Sequence, residues 1–206
     1  MKVLLINGSP HEKGCTYTAL SLIAGELKAQ GIETEILHVG GQPVGGCIGC
    51  GGCAKGNGCV FGGVVNEAIE KAKTADAFVF GTPVHYASAS GNMTSFMDRL
   101  AYAGGKYLAY KPAAVCCSAR RAGTTSTLDQ LVKYPQFFHM PLVNGSYWAM
   151  VHGSNPEQVL QDAEGCAVMQ ELGRNMAWLL KCIELGKANG ITHPENPRRP
   201  MTNFIR

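Results

Sequence analysis

Short apolar segments alternate along the chain with longer segments in which apolar residues recur every three or four positions. The short segments are typical of buried strands, and the longer ones are typical of helices with one buried face. The pattern predicts strands at residues 3–6, 34–39, 77–80, 113–117 and 142–150. It predicts helices around residues 20–27, 65–72, 93–100, 124–138 and 169–183.

Strands and helices therefore alternate five times, which predicts the α/β class with a parallel sheet that carries helices on both faces. Five strands fit a flavodoxin-like three-layer sandwich with the strand order 2-1-3-4-5. Ligands of such sheets bind outside the carboxyl ends of the strands, so the loops after strands one, three and four form the candidate site. We expect residues 1–188 to form one domain and residues 189–206 to form a C-terminal extension.

The composition is that of a globular protein and argues against several classes of function. The chain has 206 residues, of which 46% are hydrophobic and 16% charged, and its formal net charge is +3. There is no dense run of Lys and Arg, so nucleic-acid binding is not expected, and no apolar stretch is long enough to span a membrane. The apolar run at residues 3–6 is too short for a signal peptide, so we expect a cytoplasmic protein. Its nine cysteines are then reduced thiols or metal ligands.

The loop between the first strand and the first helix, Gly8 to Thr16, carries groups that suit a phosphate. Ser9 and Thr16 offer hydroxyls, and the helix start offers free backbone N–H groups and the positive end of the helix dipole. Gly8 and Gly14 allow the backbone to fold closely around an anion. The loop matches neither the ATP-binding pattern G-x-x-x-x-G-K-[ST] nor G-x-G-x-x-G. An ordinary strand-to-helix turn is the alternative to a phosphate site.

Several segments resemble the signatures of the NAD(P)H-dependent FMN reductases of the flavodoxin-like superfamily. The matching segments are residues 8–10 (GSP) with Gly14 and Thr16, residues 80–86 (FGTPVHY) and residues 93–99 (MTSFMDR). The resemblance extends over roughly residues 1–185. It departs from the family at His11 and Cys15, where the family often has Arg and Asn.

The resemblance implies an FMN site built from three loops. The first loop would bind the phosphate, the residues after the third strand would contact the isoalloxazine ring, and the loop after the fourth strand would close over the flavin. In that last loop, Arg120 or Arg121 would stabilise the negative charge of reduced flavin or bind a nicotinamide phosphate, and two solvated arginines are the alternative. The residues implied to bind FMN are Ser9, His11, Gly14, Cys15, Thr16, Pro83, Val84, His85, Tyr86, Ser118, Arg120 and Gly123.

A long loop at residues 40–63 contains eleven glycines and four cysteines. Cys47, Cys50, Cys53 and Cys59 follow the compact spacing C-x2-C-x2-C-x5-C, in which each turn of the backbone can present one thiolate to one iron. The loop resembles that of the iron–sulfur flavoproteins, which implies a 4Fe-4S cluster beside FMN. A zinc site and a loop without any metal are the alternatives.

The resemblance implies an enzyme. NAD(P)H would deliver a hydride to FMN, and the reduced flavin would pass electrons to a quinone, free flavin, an aromatic acceptor or a protein. No catalytic side chain is expected, because the cofactor carries the chemistry. The alternatives are a scaffold without flavin and a flavodoxin-type electron carrier without turnover of its own, although such carriers are typically strongly acidic. The resemblance also implies a homodimer or homotetramer.

Overall fold

The structure is a computed structural model that describes residues 1–196 and residue 202. The strands in this part of the chain are β1 (Lys2–Asn7), β2 (Glu33–His38), β3 (Ala77–His85), β4 (Ser88–Ala89), β5 (Ala113–Ala119) and β6 (Met150–His152). The α-helices are α1 (Cys15–Ala29), α2 (Val64–Thr74), α3 (Gly91–Gly104), α4 (Thr124–Phe137), α5 (Pro156–Val159) and α6 (Ala163–Ala188). Two short 3₁₀ helices span Gly52–Lys55 and Gly105–Tyr107.

Five of the strands form a parallel sheet in the order β2-β1-β3-β5-β6, which confirms the predicted strand order. Val3 of β1 pairs with Thr34 on one side and with Ala77 on the other. The strand order reverses between β1 and β3, so the loops after these two strands diverge at the switch point where ligands of such sheets bind. The sixth strand, β4, is an addition to the prediction and pairs antiparallel with the end of β3.

Alternate side chains of β1 enter two separate cores, one on each face of the sheet. Val3 and Leu5 join the core under α1 and α6, whereas Leu4 and Ile6 join the core under α2, α3 and α4. All four side chains are fully buried, as expected for a parallel strand that is covered on both faces. The arrangement is the predicted three-layer sandwich.

The predicted position of the fifth strand was wrong. We expected it at residues 142–150, but the strand found there, β6, begins at Met150. Leu142 makes only an isolated bridge to β5. Val143 and Ala149 still bond to the backbone of β5, but between them the chain leaves the sheet, and the N–H of Ser146 donates to the carboxylate of Glu171 on α6 at 2.7 Å. The apolar residues of the segment gave the same pattern as a buried strand.

The third strand is longer than predicted. It continues through Gly81 and Pro83, where we expected it to stop, and ends at His85. β1 pairs with β3 only as far as Gly81, and Pro83 pairs only with Ser118 of β5. A proline, which lacks an N–H, is tolerated where a strand has a neighbour on one side only.

The chain beyond α6 packs on its own domain. The ring of His193 stacks on the ring of Tyr110, with 4.3 Å between the ring centroids. The predicted extension at residues 189–206 lies partly outside the described residues. Across residues 1–196 and 202, no helix combines the length and the apolar character needed to cross a bilayer.

Candidate functional site

Buried polar side chains hold the loop after β1 in a defined shape. Asn7 is fully buried, and its side-chain oxygen accepts a hydrogen bond from the N–H of Ser9 at 3.1 Å. Its side-chain nitrogen donates to the carbonyl of Glu12 at 2.9 Å. The Ser90 hydroxyl, at the start of α3, donates to the carbonyl of Gly8 at 2.9 Å. These contacts fix the loop backbone at Gly8, Ser9 and Glu12.

The loop after β2 lies directly on the loop after β1. His38 Nε2 is 2.8 Å from the carbonyl oxygen of Ser9. Gly40 approaches the same residue so closely that a Cβ at this position would lie 2.1 Å from that oxygen. Only glycine fits there, and the long glycine-rich loop therefore begins in contact with the candidate phosphate loop.

The start of α1 is suited to an anion. Gly14 precedes the helix, no side chain caps it, and the first turn holds no acidic residue. The first N–H groups of a helix have no intrahelical acceptor, so those of Cys15 and Thr16 remain available to a ligand. Thr16 Oγ1 and Ser118 Oγ are both buried and lie 2.8 Å apart. One hydroxyl donates to the other, and the pair therefore keeps one O–H donor.

The remaining residues predicted to bind phosphate surround this helix start. Ser9 Oγ accepts from the N–H of His11 at 3.1 Å and keeps its own O–H to donate, while the His11 side chain is exposed. The Cys15 thiol lies 3.5 Å from the carbonyl of Gly153, in the loop after β6. Burial, assisted by the charge of Glu157, raises the pKa of the Cys15 thiol. A neutral thiol does not repel an anion at this position.

The residues predicted to contact the flavin ring form the end of β3 and the tip of a hairpin. Pro83, Val84 and His85 belong to β3, and Tyr86 and Ala87 form the turn to β4. Both turn residues have positive φ angles, 50° and 60°. Left-handed backbone costs a non-glycine residue about 1–2 kcal/mol. Tyr86 is nevertheless fully exposed, and strain with an exposed aromatic ring at a strand end is typical of a binding site.

The loop after β5 packs against this hairpin tip. The Ser126 hydroxyl donates to the carbonyl of Ala87 at 2.7 Å. Gly123, with a φ of 91°, lies so close that a Cβ there would be 2.6 Å from the Cα of Ala87. Arg120 and Arg121 of the same loop are exposed. The structure thus brings the hairpin tip and the loop after β5 together, while Ser118 near the end of β5 contacts Thr16 in the first turn of α1.

The four cysteines of the glycine-rich loop line one cavity of about 210 Å³, together with Arg99 of α3. Cys47 and Cys50 are exposed, and Cys53 and Cys59 are half-buried. Within the described part of the chain, no group of three or more Cys, His, Asp or Glu side chains converges on a point that would hold one metal ion. The thiols therefore surround a cavity and do not meet at its centre.

Two asparagines attach the ends of this loop to the helices of one face. Asn92 of α3 accepts from the N–H of Val44 at 3.1 Å and donates to the carbonyl of Gly40 at 3.0 Å. Asn66 of α2 accepts from the N–H of Cys59 at 2.8 Å and donates to its carbonyl at 3.0 Å. The backbone of Cys59 is thereby fixed on both of its polar groups.

Three residues that position these loops were given no role by the sequence analysis, although Arg99 ends the family-like segment 93–99. Asn7 is a neutral amide at the end of an apolar strand, a signal of a buried polar group next to a site. Arg99 lies beside the buried helix residues Phe96 and Leu100, and a charge at such a position was also a signal. No pattern in the sequence indicated His38, because its contact with Ser9 depends on how the loops after β1 and β2 pack together.

Comparison with known proteins extends these observations. The chain is 28% identical over 192 residues to an iron–sulfur flavoprotein of Methanocaldococcus jannaschii, and the match covers 89% of this chain and all of that protein. Among solved structures, RosB with a bound 8-demethyl-8-formylriboflavin-5'-phosphate intermediate has a TM-score of 0.69 at 14% identity, covering 100% of this chain and 93% of that one. A flavodoxin from the domain Archaea has a TM-score of 0.60 at 14% identity, covering 88% and 99%.

The two structural matches show the fold alone, which is flavodoxin-like. The family described as NADPH-dependent FMN reductase matches residues 1–155, which include the three candidate flavin loops and the four cysteines. The chain therefore belongs to the NADPH-dependent FMN reductase family, whose members are FMN-binding oxidoreductases with this fold.

Proposed function

We propose that this protein uses FMN to take a hydride from NAD(P)H and to pass electrons to a quinone, a flavin or another acceptor. The observation that carries the proposal is the uncapped start of α1 beside the buried hydroxyls of Thr16 and Ser118. A phosphate there would gain free backbone donors, a hydroxyl donor and the positive end of the helix dipole. Membership of an FMN reductase family supports FMN as the molecule that carries this phosphate.

The residues present fit the phosphate of FMN. Ser9 and Thr16 would donate through their hydroxyls, and Cys15 through its backbone N–H. A hydrogen bond to a charged group contributes about 1.5–3 kcal/mol. Because the loop is already held by Asn7 and Ser90, these donors are in place before the ligand arrives and little binding energy is lost in ordering them.

The other two loops would hold the flavin ring. Bound FMN supplies a ring that accepts a hydride and releases electrons one or two at a time. The segment Pro83–Tyr86 offers backbone hydrogen-bonding groups and an exposed aromatic face. Gly123 keeps the facing loop close to the hairpin tip, and the exposed guanidinium groups of Arg120 and Arg121 suit a nicotinamide phosphate. The chain thus supplies position and charge.

We further infer that the cysteine loop binds a 4Fe-4S cluster in preference to zinc. A zinc ion needs four ligands at about 2.0–2.3 Å around one point. A cubane cluster binds each thiolate to a different iron, so its ligands line a cavity. The four thiols of this chain follow the compact C-x2-C-x2-C-x5-C spacing and line one cavity, which suits the cluster. The name of the relative from Methanocaldococcus jannaschii supports the same inference.

Anaerobic rapid mixing of the FMN-loaded protein with NADPH, and separately with NADH, tests the proposed hydride step. We expect the oxidised flavin absorption to bleach with at least one nucleotide and to return when benzoquinone is added. Protein from which FMN has been removed is the control and should leave the nucleotide unoxidised. Bound FMN that neither nucleotide reduces would contradict the enzyme and favour an electron carrier that receives its electrons from another protein.

A further inference from the structure

Arg99 is a buried cation in the wall of the cysteine cavity. It is 5% exposed. Its Nε donates to the sulfur of Cys59 at 3.2 Å, one terminal nitrogen to the carbonyl of Gly45 at 3.3 Å, and the other to the carbonyl of Gly62 at 3.0 Å. Its guanidinium carbon lies 5.3 Å from the ring centre of Phe61. Each of the three guanidinium nitrogens therefore donates a hydrogen bond to the cysteine loop.

The charge of Arg99 has no carboxylate partner in the described part of the chain, where the ion pairs all involve other residues. The neighbouring Asp98 contacts the Tyr134 hydroxyl instead. Carbonyls and a thiol satisfy the N–H groups of a guanidinium but do not neutralise it. A buried charge is unfavourable unless an opposite charge compensates it. The uncompensated positive charge of Arg99 therefore favours an anion inside the cavity.

Resting on the proposed cluster, we propose that Arg99 is the positioning residue and counter-charge of the loaded cysteine loop. Four thiolates bring more negative charge than the iron–sulfide core neutralises, and Arg99 lines the cavity that they surround. Its N–H donates directly to the sulfur of one of the four ligands. Hydrogen bonds to the sulfurs and local net charge are among the factors that set cluster potentials. Arg99 accordingly favours the reduced form, which carries one more electron.

The shape of the side chain matters as well as its charge. Gly45 precedes the first cysteine of the motif, Cys59 is the last, and Gly62 follows it. The planar guanidinium joins these three segments through separate nitrogens, which closes the loop around the cavity. A lysine ammonium keeps the charge but lacks the rigid fork that spans three directions. Arg99→Lys therefore separates the effect of the positive charge from the effect of the hydrogen bonds that close the loop.

The test compares wild-type protein with Arg99→Lys, Arg99→Met and Arg174→Met. Arg174 is half exposed on α6 and pairs with Glu26, so its substitution removes the same formal charge far from the loop. Each protein is loaded with FMN and reconstituted anaerobically with ferrous iron and sulfide. Iron and sulfide contents are measured, and the cluster midpoint potential is determined by spectroelectrochemistry. FMN affinity and circular dichroism report on the rest of the fold.

We expect wild type and Arg174→Met to load equally and to share one potential. Arg99→Lys should take up iron about tenfold more weakly, as is common when an outer-shell contact is lost. Arg99→Met should load still less, and the cluster that forms should have a more negative potential than wild type. FMN affinity should not change, because the contacts of Arg99 lie within the cysteine loop.

Equal iron content and potential in wild type and both Arg99 variants would overturn the role of Arg99 and leave the proposed cluster intact. Reduced loading with an unchanged potential in Arg99→Met would also overturn the counter-charge role, since a purely structural contact would produce that result. If Arg99→Met does not fold, Arg99→Gln, which keeps N–H donors but not the charge, replaces it in the comparison of cluster potentials. Wild-type protein that takes up no iron would overturn both this inference and the cluster itself.

Discussion

Two loops at the same end of the sheet differ in how they are held. The loop after β1 is short, and buried side chains such as Asn7 and Ser90 bond its backbone from neighbouring elements. The cysteine loop spans residues 40–63, and its described side-chain contacts to the helices come mainly from Asn66, Asn92 and Arg99. Contacts from neighbouring elements fix the backbone of the first loop, whereas the second surrounds a cavity with thiols that do not converge.

The two loops obtain their order from different sources. Side chains of the folded core hold the first loop, so the proposed phosphate would meet donors that are already positioned. In the cysteine loop, six glycines have positive φ angles, and glycine loses more backbone entropy on ordering than any other residue. That loop therefore depends on a few side chains and, on the proposed function, on the cluster in its cavity. The two sites should consequently respond separately to substitution.

The largest effect is expected from breaking the first loop. Replacing Ser9 and Thr16 together by Ala should weaken FMN binding by about 2–4 kcal/mol, because two hydroxyl contacts to a charged phosphate are lost. Flavin fluorescence titration measures this change. Thr74→Ala, an exposed hydroxyl at the end of α2, is the matched control and should bind FMN normally. Unchanged affinity in the double variant would contradict the phosphate site.

A smaller effect is expected from loosening the cysteine loop at its second end. Asn66→Ala removes the acceptor of the Cys59 N–H and one of the two donors to its carbonyl, which still accepts from the N–H of Gly62. The partly buried N–H left without a partner should lower the free energy of unfolding by about 1–3 kcal/mol. Hydrogen exchange should become faster around Cys59 and stay unchanged around Ser9. Asn175→Ala, which removes an exposed contact between α6 and Asn144, serves as the control. FMN affinity that falls along with loop protection would show that the two sites are not separable.

The smallest effect concerns the sheet that carries both loops. Hydrogen bonds from Lys2 and Lys71 hold the pKa of Glu35 below its ordinary value. A depressed carboxyl pKa stabilises the fold above the unfolded-state value, and this contribution is lost as the pH falls through the folded-state pKa. Since the three side chains are partly exposed, Glu35→Gln should cost no more than about 1 kcal/mol at pH 7.

Urea unfolding of wild type and Glu35→Gln from pH 7 to pH 3 measures the contribution of ionised Glu35 to the free energy of unfolding. The difference between the two proteins should shrink on acidification, and both should bind FMN equally at pH 7. A difference that grew as the pH fell would contradict the assigned direction of the pKa shift.

The strand order and the helices were predictable because apolar spacing directly reports which faces are buried. The position of β6 was not, since Val143 is buried and Leu142 half-buried beside the sheet, while Glu171 of α6 binds the backbone of Ser146 that follows. The turn at Tyr86 and Ala87 was also unpredictable, because hairpin turns of this kind usually contain Asn or Gly. Tertiary contacts decide both features.

Within the candidate site, residue type and spacing identified the hydroxyls and the thiols but not what holds them. Ser9, Thr16 and the four cysteines were named from the sequence alone. The contact between Thr16 and Ser118 joins residues 102 positions apart, and that between Arg99 and Cys59 joins residues 40 apart. Such contacts depend on how the loops cross at the edge of the sheet, which no local pattern encodes.

The cofactor content of the protein purified without oxygen tests the flavin site and the cluster together, with FMN, iron, sulfide and zinc measured on one sample. We expect one FMN per chain, about four irons and an equal amount of sulfide, and little zinc. Protein that binds no FMN even when it is supplied in excess would contradict the central claim. FMN with neither iron nor sulfide, and with four freely titrating loop thiols, would contradict the cluster and leave the flavin site standing.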